Sequence, residues 1–214
     1  MDILDVIRNR RSDRHFNGRP VAQSDIDVLI EAFRWAPSST NRQPWRLLFA
    51  TSEAARAVYD DALSAGNKQW APAAPVKIVV IGNPTEQPDR SGLHMWLLDC
   101  GLALENMLIQ GYAMGMTIHA MAGYDEKKLL SGFGVPEPFR VAAVVAAGWR
   151  GKVEALPEEV RAKDLKPRVR KPPANSSFGI RSAPRNFCAA AQSQRLASML
   201  RRMRDSAARV RGIA

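Results

Sequence analysis

An arginine-rich segment near the start of the chain carries side chains suited to anion binding. Residues 10–14, Arg-Arg-Ser-Asp-Arg, place three guanidinium groups and a hydroxyl within five positions. Guanidinium groups bind phosphate through paired, charge-assisted hydrogen bonds, so this segment could hold a phosphate group. Basic residues at the end of a helix can equally interact with the last carbonyl groups of that helix. The segment alone does not decide between the two interpretations.

A second polar segment, APSSTNRQPWR at residues 36–46, lies between a predicted helix and a predicted strand. Pro37 and Pro44 restrict its backbone and so reduce the entropy that is lost when a ligand binds. Between them stand uncharged hydrogen-bonding residues, which suit a polyol or the rim of a heteroaromatic ring: Ser38, Ser39, Thr40 and Asn41. Such residues also form turns and helix caps for local reasons, and taken alone the segment favours that explanation.

Strands and helices alternate along the chain and must position these segments. Short, largely apolar runs predict strands at residues 45–51, 76–82, 116–121 and 140–149, and the run at 76–82 is rich in β-branched residues. Apolar residues at helical spacing predict helices at residues 24–35, 53–65, 91–115 and 125–132. Several helices with few strands indicate one layered core of the α+β or α/β class. The sequence contains no internal repeat.

The helix predicted over residues 91–115 is apolar on nearly all its faces. Four polar residues interrupt the apolar run of residues 93–118: Asp99, Glu105, Asn106 and Gln110. A bilayer segment rarely carries such residues without partners, so we expect a helix buried in the protein or in an interface and no membrane span. Asp99 and Glu105 are six positions apart and do not share a helix face, which favours helix packing over a role as an acid pair.

The basic character of the chain is confined to its last quarter. The net charge is +10, yet residues 165–214 alone hold 12 Lys and Arg against one acidic residue, Asp205. We therefore expect two regions, a folded domain over residues 1–174 and an Ala/Arg/Ser-rich extension over residues 175–214. The two cysteines are far apart and form no metal-binding spacing, and no secretory signal is visible, so we expect a cytoplasmic protein without a structural metal.

Six segments, taken in order, resemble the family of FMN-dependent nitroreductases over residues 1 to about 173. They are RRSDRHF, PSSTNRQPWR, VKIVVIG, the long apolar helix, HAMAGYD and the terminal RVRKP. PSSTNRQPWR is the most specific of them, and the others add support through order and spacing. The resemblance implies an α+β fold with a central, mainly antiparallel sheet flanked by helices. It also implies a homodimer, with the long buried helix at its interface and two FMN sites between the protomers.

The resemblance further implies which residues bind the cofactor. The FMN phosphate and ribityl chain would be held by Arg10, Arg11, Ser12 and Arg14, and by a second basic pair, Arg168 and Arg170. The loop that reaches the flavin from the partner protomer would contribute Pro37, Ser38, Ser39 and Asn41, with Thr40 near the substrate. Beside the isoalloxazine ring would lie Ala122 and Gly123, where a backbone N–H can point at the flavin N5 atom.

The resemblance implies an oxidoreductase that passes electrons from NAD(P)H to nitroaromatic compounds, quinones or similar planar acceptors. No G-x-G-x-x-G segment follows a strand, so NAD(P)H would bind transiently to the flavin and leave before the acceptor enters, in a ping-pong scheme. The scheme needs no dedicated acid, base or nucleophile. Two alternatives stay open: another redox reaction on the same flavin fold, such as dehalogenation, dehydrogenation or enal reduction, and polyanion binding through the basic extension.

The extension over residues 175–214 departs from the resemblance, because family members commonly end in a short segment that embraces the partner. Three explanations compete for it. It could be an unstructured addition, an amphipathic helix that packs on the dimer, or a basic helix that binds polyanions. Polyanion binding is the least favoured, because no aromatic residue stands among the arginines after Phe187 to stack on single-stranded bases. We therefore expect no nucleic-acid partner.

Overall fold

The computed structural model of the protein describes residues 2–172. Contacts between Cα atoms group the chain into two compact units, Met1–Lys166 and Pro167–Ala214. The described part of the second unit, residues 167–172, is neither helix nor strand. The predicted domain boundary near residue 174 and the basic helix predicted beyond it lie outside the described residues, so both stay predictions.

A four-stranded antiparallel sheet forms the centre of the first unit. Its strands are β1 (Trp45–Phe49), β2 (Val76–Gly82), β3 (Met116–Met121) and β4 (Arg140–Trp149), in the spatial order β1-β2-β4-β3. In the register, Gly82 stands opposite both Trp45 and Arg140, and Met121 stands opposite Val144. The start of β1 and the end of β3 therefore lie at the same end of the sheet but on its opposite edges. The predicted antiparallel α+β fold is confirmed.

Helices cover both faces of the sheet, and this explains why β2 is apolar except for the buried Lys77, which pairs with Asp60. The helices are α1 (Asp5–Asn9), α2 (Gln23–Arg34), α3 (Glu53–Ala62), α4 (Ala65–Lys68), α5 (Met95–Ala113), α6 (Glu126–Gly132) and α7 (Glu158–Asp164). Ile78 and Val80 face a core shared with α2 and α5, whereas Val79 and Ile81 face a second core shared with α3 and α6. Successive strand residues point to opposite faces, so a strand covered on both sides needs apolar residues throughout.

The long helix α5 packs one face on the sheet and leaves another exposed. Its buried residues are Trp96, Asp99, Cys100, Ala103, Met107, Leu108 and Gly111. Gly111 lets the helix approach β3, because a Cβ atom there would lie 2.1 Å from Ile118 Cδ1. On the other face Leu97, Leu98 and Leu102 are 42%, 55% and 41% exposed. Among the described residues, no helix combines the length and apolarity needed to cross a membrane.

The start of α3 offers a test of local stabilisation. Ser52 caps this helix and its Oγ accepts a hydrogen bond from the Ala55 N–H at 3.1 Å. We expect Ser52→Ala to lower the free energy of unfolding by about 1 kcal/mol, because it leaves this N–H without its acceptor. Urea denaturation measures the loss. Ser64 precedes α4 in the same way but makes no side-chain cap bond, so Ser64→Ala is the matched control and should lower stability less.

Candidate cofactor-binding site

The arginine-rich segment lies against edge strand β3. The ring of His119, a residue of β3, donates from Nδ1 to the Asp13 carbonyl oxygen at 3.0 Å. Trp70 packs against the same imidazole, with ring centroids 4.6 Å apart, and the Arg14 guanidinium lies 5.7 Å from the Trp70 ring centroid. Burial is the main reason that the pKa of His119 is lowered, which favours the neutral ring; in that ring Nδ1 carries the proton donated to Asp13. The segment is thereby fixed along the edge of the sheet.

Arg14 and Arg11 tie this segment to the end of α7. The Arg14 guanidinium pairs with the buried Asp164 carboxylate, and the Arg14 backbone N–H donates to Asp164 Oδ2 at 2.8 Å. Arg11 donates to the carbonyl oxygens of Asp164 and Lys166 at 2.7 and 2.9 Å. A buried carboxylate requires such partners, since an isolated charge in the interior is costly. Both guanidinium groups thus have structural partners within the protomer.

Arg10 and Ser12 are the members of the segment with the fewest internal partners. Arg10 Nε lies 3.5 Å from Glu105 Oε1 on α5, and Glu105 itself is about half exposed. Ser12 is exposed. A hydroxyl and a lightly held guanidinium, with Arg11 between them, form a donor set of the kind that binds phosphate oxygens.

Asp13, His15 and Asp164 form a cluster whose possible ligand atoms lie within 4.8 Å of one another. Guanidinium groups balance its carboxylates, because Asp13 lies 3.5 Å from Arg11 and 3.7 Å from Arg150, and Asp164 pairs with Arg14. A cation site needs uncompensated carboxylate charge. The cluster is therefore better described as an ion-pair network than as a metal site.

Gly123 follows β3 and is in close contact with Ser64 and Asn67. Its carbonyl oxygen accepts from the Ser64 N–H at 2.9 Å and from Asn67 Nδ2 at 3.0 Å. A Cβ atom on Gly123 would lie 2.6 Å from Ser64 Oγ and 3.0 Å from Asn67 Nδ2, so a larger residue would have to displace these two side chains. Within residues 2–172 no acceptor is hydrogen-bonded to the Gly123 N–H, which leaves this donor for a ligand.

A cavity of about 450 Å³ adjoins Gly123, with Ala122 and Ser64 in its wall. Ser64, Asn67 and Trp70 are site residues that the sequence analysis did not identify. They come from α4 and from the residues directly before and after it, more than 50 positions before Gly123. The pattern SAGNKQW carries no local chemical signal, and only the folded chain brings it to the end of β3.

The second polar segment packs on α5 at a different place. Ser39 N–H donates to the Asp99 carboxylate at 3.3 and 3.4 Å, and Ser38 Oγ accepts from the Gln43 N–H at 3.0 Å. Thr40, Asn41 and Gln43 have positive φ angles of 53°, 55° and 49°. Residues other than glycine adopt this conformation at a cost, so the loop is strained where it exposes Thr40 and Asn41. Such strain concentrates at ligand sites.

The buried Asp99 gives a pH-dependent test of this loop. Burial raises the pKa of its carboxyl, so the unfolded chain ionises first as the pH rises and the native state loses relative stability. We expect the free energy of unfolding of Asp99→Asn to rise relative to that of the natural protein as the pH increases from 4 to 7. The variant keeps the loop contact, because the Asn amide oxygen still accepts from the Ser39 N–H. Urea denaturation at both pH values measures the change. The same substitution at the exposed Asp2 should give no such gain, and an equal gain there would contradict the assignment.

One protomer keeps the two polar segments apart. Gly123 follows β3 and the loop of residues 37–44 precedes β1, so three inter-strand spacings, about 14 Å, separate the two edges. Residues 10–14, Ala122 and Gly123 thus form one group along β3, whereas residues 37–41 form another on Asp99. Arg168 and Arg170 belong to the second compact unit, so their predicted part in the site stays a prediction.

Comparison with known proteins identifies the class. The model of the nitroreductase family matches residues 7–77, which include both polar segments. A candidate NADH dehydrogenase/NAD(P)H nitroreductase of Archaeoglobus fulgidus is 28% identical over 152 residues, covering 69% of this chain and 85% of the relative. The nitrobenzene nitroreductase of Ectopseudomonas oleovorans is 40% identical over 63 residues, covering 29% of this chain and 28% of that protein.

Solved structures agree with this assignment. The crystal structure of an oxidoreductase containing FMN superposes with a TM-score of 0.75 at 27% identity, over 84% of this chain and 92% of that one. A candidate nitroreductase from Exiguobacterium sibiricum in complex with FMN shares the fold, with a TM-score of 0.70 at 18% identity over 84% of this chain and 97% of that one. The chain is thus similar to the nitroreductase family, in sequence over residues 7–77 and in fold over 84% of its length.

Proposed function

We propose that the protein is a homodimeric, FMN-dependent oxidoreductase that passes electrons from NAD(P)H to planar acceptors such as nitroaromatic compounds and quinones. The observation that carries the proposal is the arrangement along β3. The segment of residues 10–14 is bonded to His119 through the Asp13 carbonyl oxygen, and the backbone N–H of Gly123, four residues after His119, has no acceptor within residues 2–172. Four extended residues span about 13 Å, which suits an elongated molecule with a phosphate at one end and a ring at the other.

The residues present fit FMN chemically. Arg10, Arg11 and Ser12 would bind the phosphate, and Arg14 would hold their segment in place through Asp164. Arg168 and Arg170 would add the second basic pair that the family resemblance implies. The Gly123 N–H would donate to the ring, and the close contacts of Gly123 with Ser64 and Asn67 would fix its direction. Held by these residues, FMN would supply the redox chemistry between NAD(P)H and the acceptor.

The exposed face of α5 supports a dimer. Leu97, Leu98 and Leu102 form one apolar stripe on a helix that is well packed on its other side. Contiguous exposed apolar surface of this kind marks interaction sites, and a second copy of the chain would bury it. In such a dimer the loop of residues 37–41 would reach the partner's cofactor. Pro37, Ser38, Ser39 and Asn41 would then border the flavin, with Thr40 nearest the acceptor.

The chain's own residues would position groups rather than transfer protons between them. Donor and acceptor would use one cleft in turn, which is the basis of the ping-pong scheme. A fixed backbone N–H at the ring stabilises negative charge as it develops, without any reorganisation during the reaction. His15, His94 and His119 then need no catalytic role.

A flavin titration with steady-state kinetics tests the proposal. We expect the purified protein to bind FMN in a one-to-one ratio with the protomer, and to oxidise NADH or NADPH in the presence of nitroaromatic compounds or quinones. Double-reciprocal plots at several acceptor concentrations should be parallel. Protein that stays colourless after addition of FMN would refute the cofactor. Bound flavin that no nitro compound or quinone reoxidises would instead point to one of the other redox reactions.

A further inference from the structure

The guanidinium group of Arg42 joins the strained loop of residues 37–44 to the turn that follows β2. Its Nε donates to Thr40 Oγ1 at 3.0 Å, and its Nη1 donates to the Glu86 carbonyl oxygen at 2.8 Å. Two hydrogen bonds from one planar group fix its orientation better than a single contact does. Arg42 thereby connects Thr40, whose φ angle is 53°, to a second element of the fold.

The turn that receives Arg42 is itself well fixed. Asn83 Oδ1 accepts from the backbone N–H and the hydroxyl of Thr85 at 2.9 and 2.8 Å, and Asn83 Nδ2 donates to Glu86 Oε1 at 3.1 Å. The Asn83 N–H donates to the Pro44 carbonyl oxygen at 2.8 Å, so the turn is also bonded to the end of the loop. The Glu86 carbonyl oxygen is therefore a fixed anchor for Arg42.

These contacts determine how the Thr40 hydroxyl can interact with a ligand. A threonine hydroxyl has one proton to donate and two lone pairs that can accept. The proton is donated to the Ser39 carbonyl oxygen at 2.7 Å, and one lone pair accepts from Arg42. Among the described residues the hydroxyl makes no further hydrogen bond, and Thr40 is exposed. In this arrangement Thr40 can accept a hydrogen bond from a ligand but cannot donate one.

We propose that Arg42 is a positioning residue that makes Thr40 a hydrogen-bond acceptor for the carboxamide N–H of the nicotinamide ring. The inference rests on the proposed function, in which Thr40 borders the cleft that electron donor and acceptor share. Nicotinamide carries an amide –NH2 group on its ring, whereas simple nitro compounds and quinones carry only acceptor oxygens. Arg42 would therefore favour the electron donor over the electron acceptor in this cleft.

Nicotinamide and 3-acetylpyridine test this selection, because they have the same shape and differ in one group. Nicotinamide has an –NH2 group where 3-acetylpyridine has a methyl group, so only nicotinamide can donate to Thr40. In ligand-detected NMR titrations of the oxidised, FMN-loaded protein, we expect nicotinamide to bind about fivefold more tightly. Arg42→Ala should abolish this preference, because the Thr40 hydroxyl is then free to rotate. Arg42→Lys keeps the charge but lacks the planar fork, so it should restore only part of the preference.

Arg46→Ala is the matched control for the loss of Arg42. Arg46 also contacts the turn, with its Nη2 3.3 Å from Glu86 Oε1, and its Nη1 donates to the Gln43 carbonyl oxygen at 3.2 Å. It makes no hydrogen bond to Thr40. Arg46→Ala removes the same charge beside the same turn and should leave the nicotinamide preference intact. Thr40→Ala should remove the preference, and Arg42→Ala added to Thr40→Ala should change it no further.

Steady-state kinetics separates positioning by Arg42 from a general loosening of the loop. In a ping-pong reaction, the kcat/KM values for donor and acceptor report on separate half-reactions. Arg42→Ala should lower kcat/KM for NADH or NADPH about fivefold, and kcat/KM for 1,4-benzoquinone by less than about twofold. A loop that merely loses its shape would lower both values together.

The outcomes distinguish this inference from the function on which it rests. A nicotinamide preference that survives in Arg42→Ala, shown to be folded by circular dichroism, overturns the role of Arg42. Equal binding of the two ligands by the natural FMN-loaded protein, or an equal fall in both kcat/KM values, overturns it as well. Failure of the proposed function would show differently, as a natural protein that takes up no FMN or oxidises neither NADH nor NADPH.

Discussion

Gly123→Ala is expected to weaken FMN binding about tenfold or more. The new Cβ atom would lie 2.6 Å from Ser64 Oγ and 3.0 Å from Asn67 Nδ2. Asn67 Nδ2 donates to the Gly123 carbonyl oxygen, so displacing the Asn67 side chain would break this bond and release the backbone at Gly123. The Gly123 N–H would then lose its direction, and a hydrogen bond and a steric fit would be lost together. Fluorescence titration of the apoprotein with FMN measures the change.

Gly66 provides the matched control for this substitution. It lies in α4, close to Ser64 and Asn67 in sequence, but a Cβ atom there would meet nothing within 4 Å. Gly66→Ala should therefore leave the FMN affinity unchanged and stability equal or slightly higher. If both variants bind FMN like the natural protein, Gly123 does not lie beside the flavin ring.

Leu102→Asp should dissociate the proposed dimer and remove the flavin in the same step. The side chain is 41% exposed in the protomer and belongs to the apolar stripe of α5. The dimer would have to bury two new carboxylates, one from each protomer. This should raise the dissociation constant of the dimer on the order of 100-fold or more. The flavin would leave because its site would be completed by the partner's loop. Sedimentation velocity and flavin absorbance, followed over a range of protein concentrations, test both effects together.

Val28→Asp is the matched control, because it also replaces an aliphatic side chain by aspartate. Val28 lies on α2 and is 43% exposed, which is similar to Leu102. It should change neither the oligomeric state nor the flavin content. A Leu102→Asp protein that is monomeric but keeps its flavin would show that one protomer suffices for the site. A Leu102→Asp protein that remains a dimer would remove α5 from the interface.

The sheet was predictable from sequence because its signals are local. The predicted strands at residues 76–82, 116–121 and 140–149 coincide with β2, β3 and β4. Strands buried on both faces are largely apolar. A short apolar run that ends at proline or glycine is seldom part of a helix, so it indicates a strand. The predicted long helix, residues 91–115, is longer than α5 at both ends, since helix limits depend on capping contacts that spacing does not reveal.

The candidate site was predictable only where a contiguous motif carries it. Residues 10–14 and 36–46 stand out because several functional side chains are adjacent in sequence. The partners that orient them come from distant positions, as in the pairing of Arg14 with Asp164 or of Ser39 with Asp99. Such contacts depend on tertiary packing, which leaves no pattern in either segment. Asp99 was predicted only to serve helix packing. In the structure its carboxylate also accepts from the Ser39 N–H and so fixes the second polar segment.

The bond between Arg14 and Asp164 joins residues 150 positions apart. During synthesis the amino-terminal arm emerges early, yet its anchor is among the last parts of the first unit to leave the ribosome. Until then the arm lacks the bonds of Arg14 and Arg11 to the end of α7, which complete its fixed geometry. We therefore expect the nascent chain to acquire its cofactor only after translation of this unit is complete, and truncations that end before Asp164 to be recovered without it.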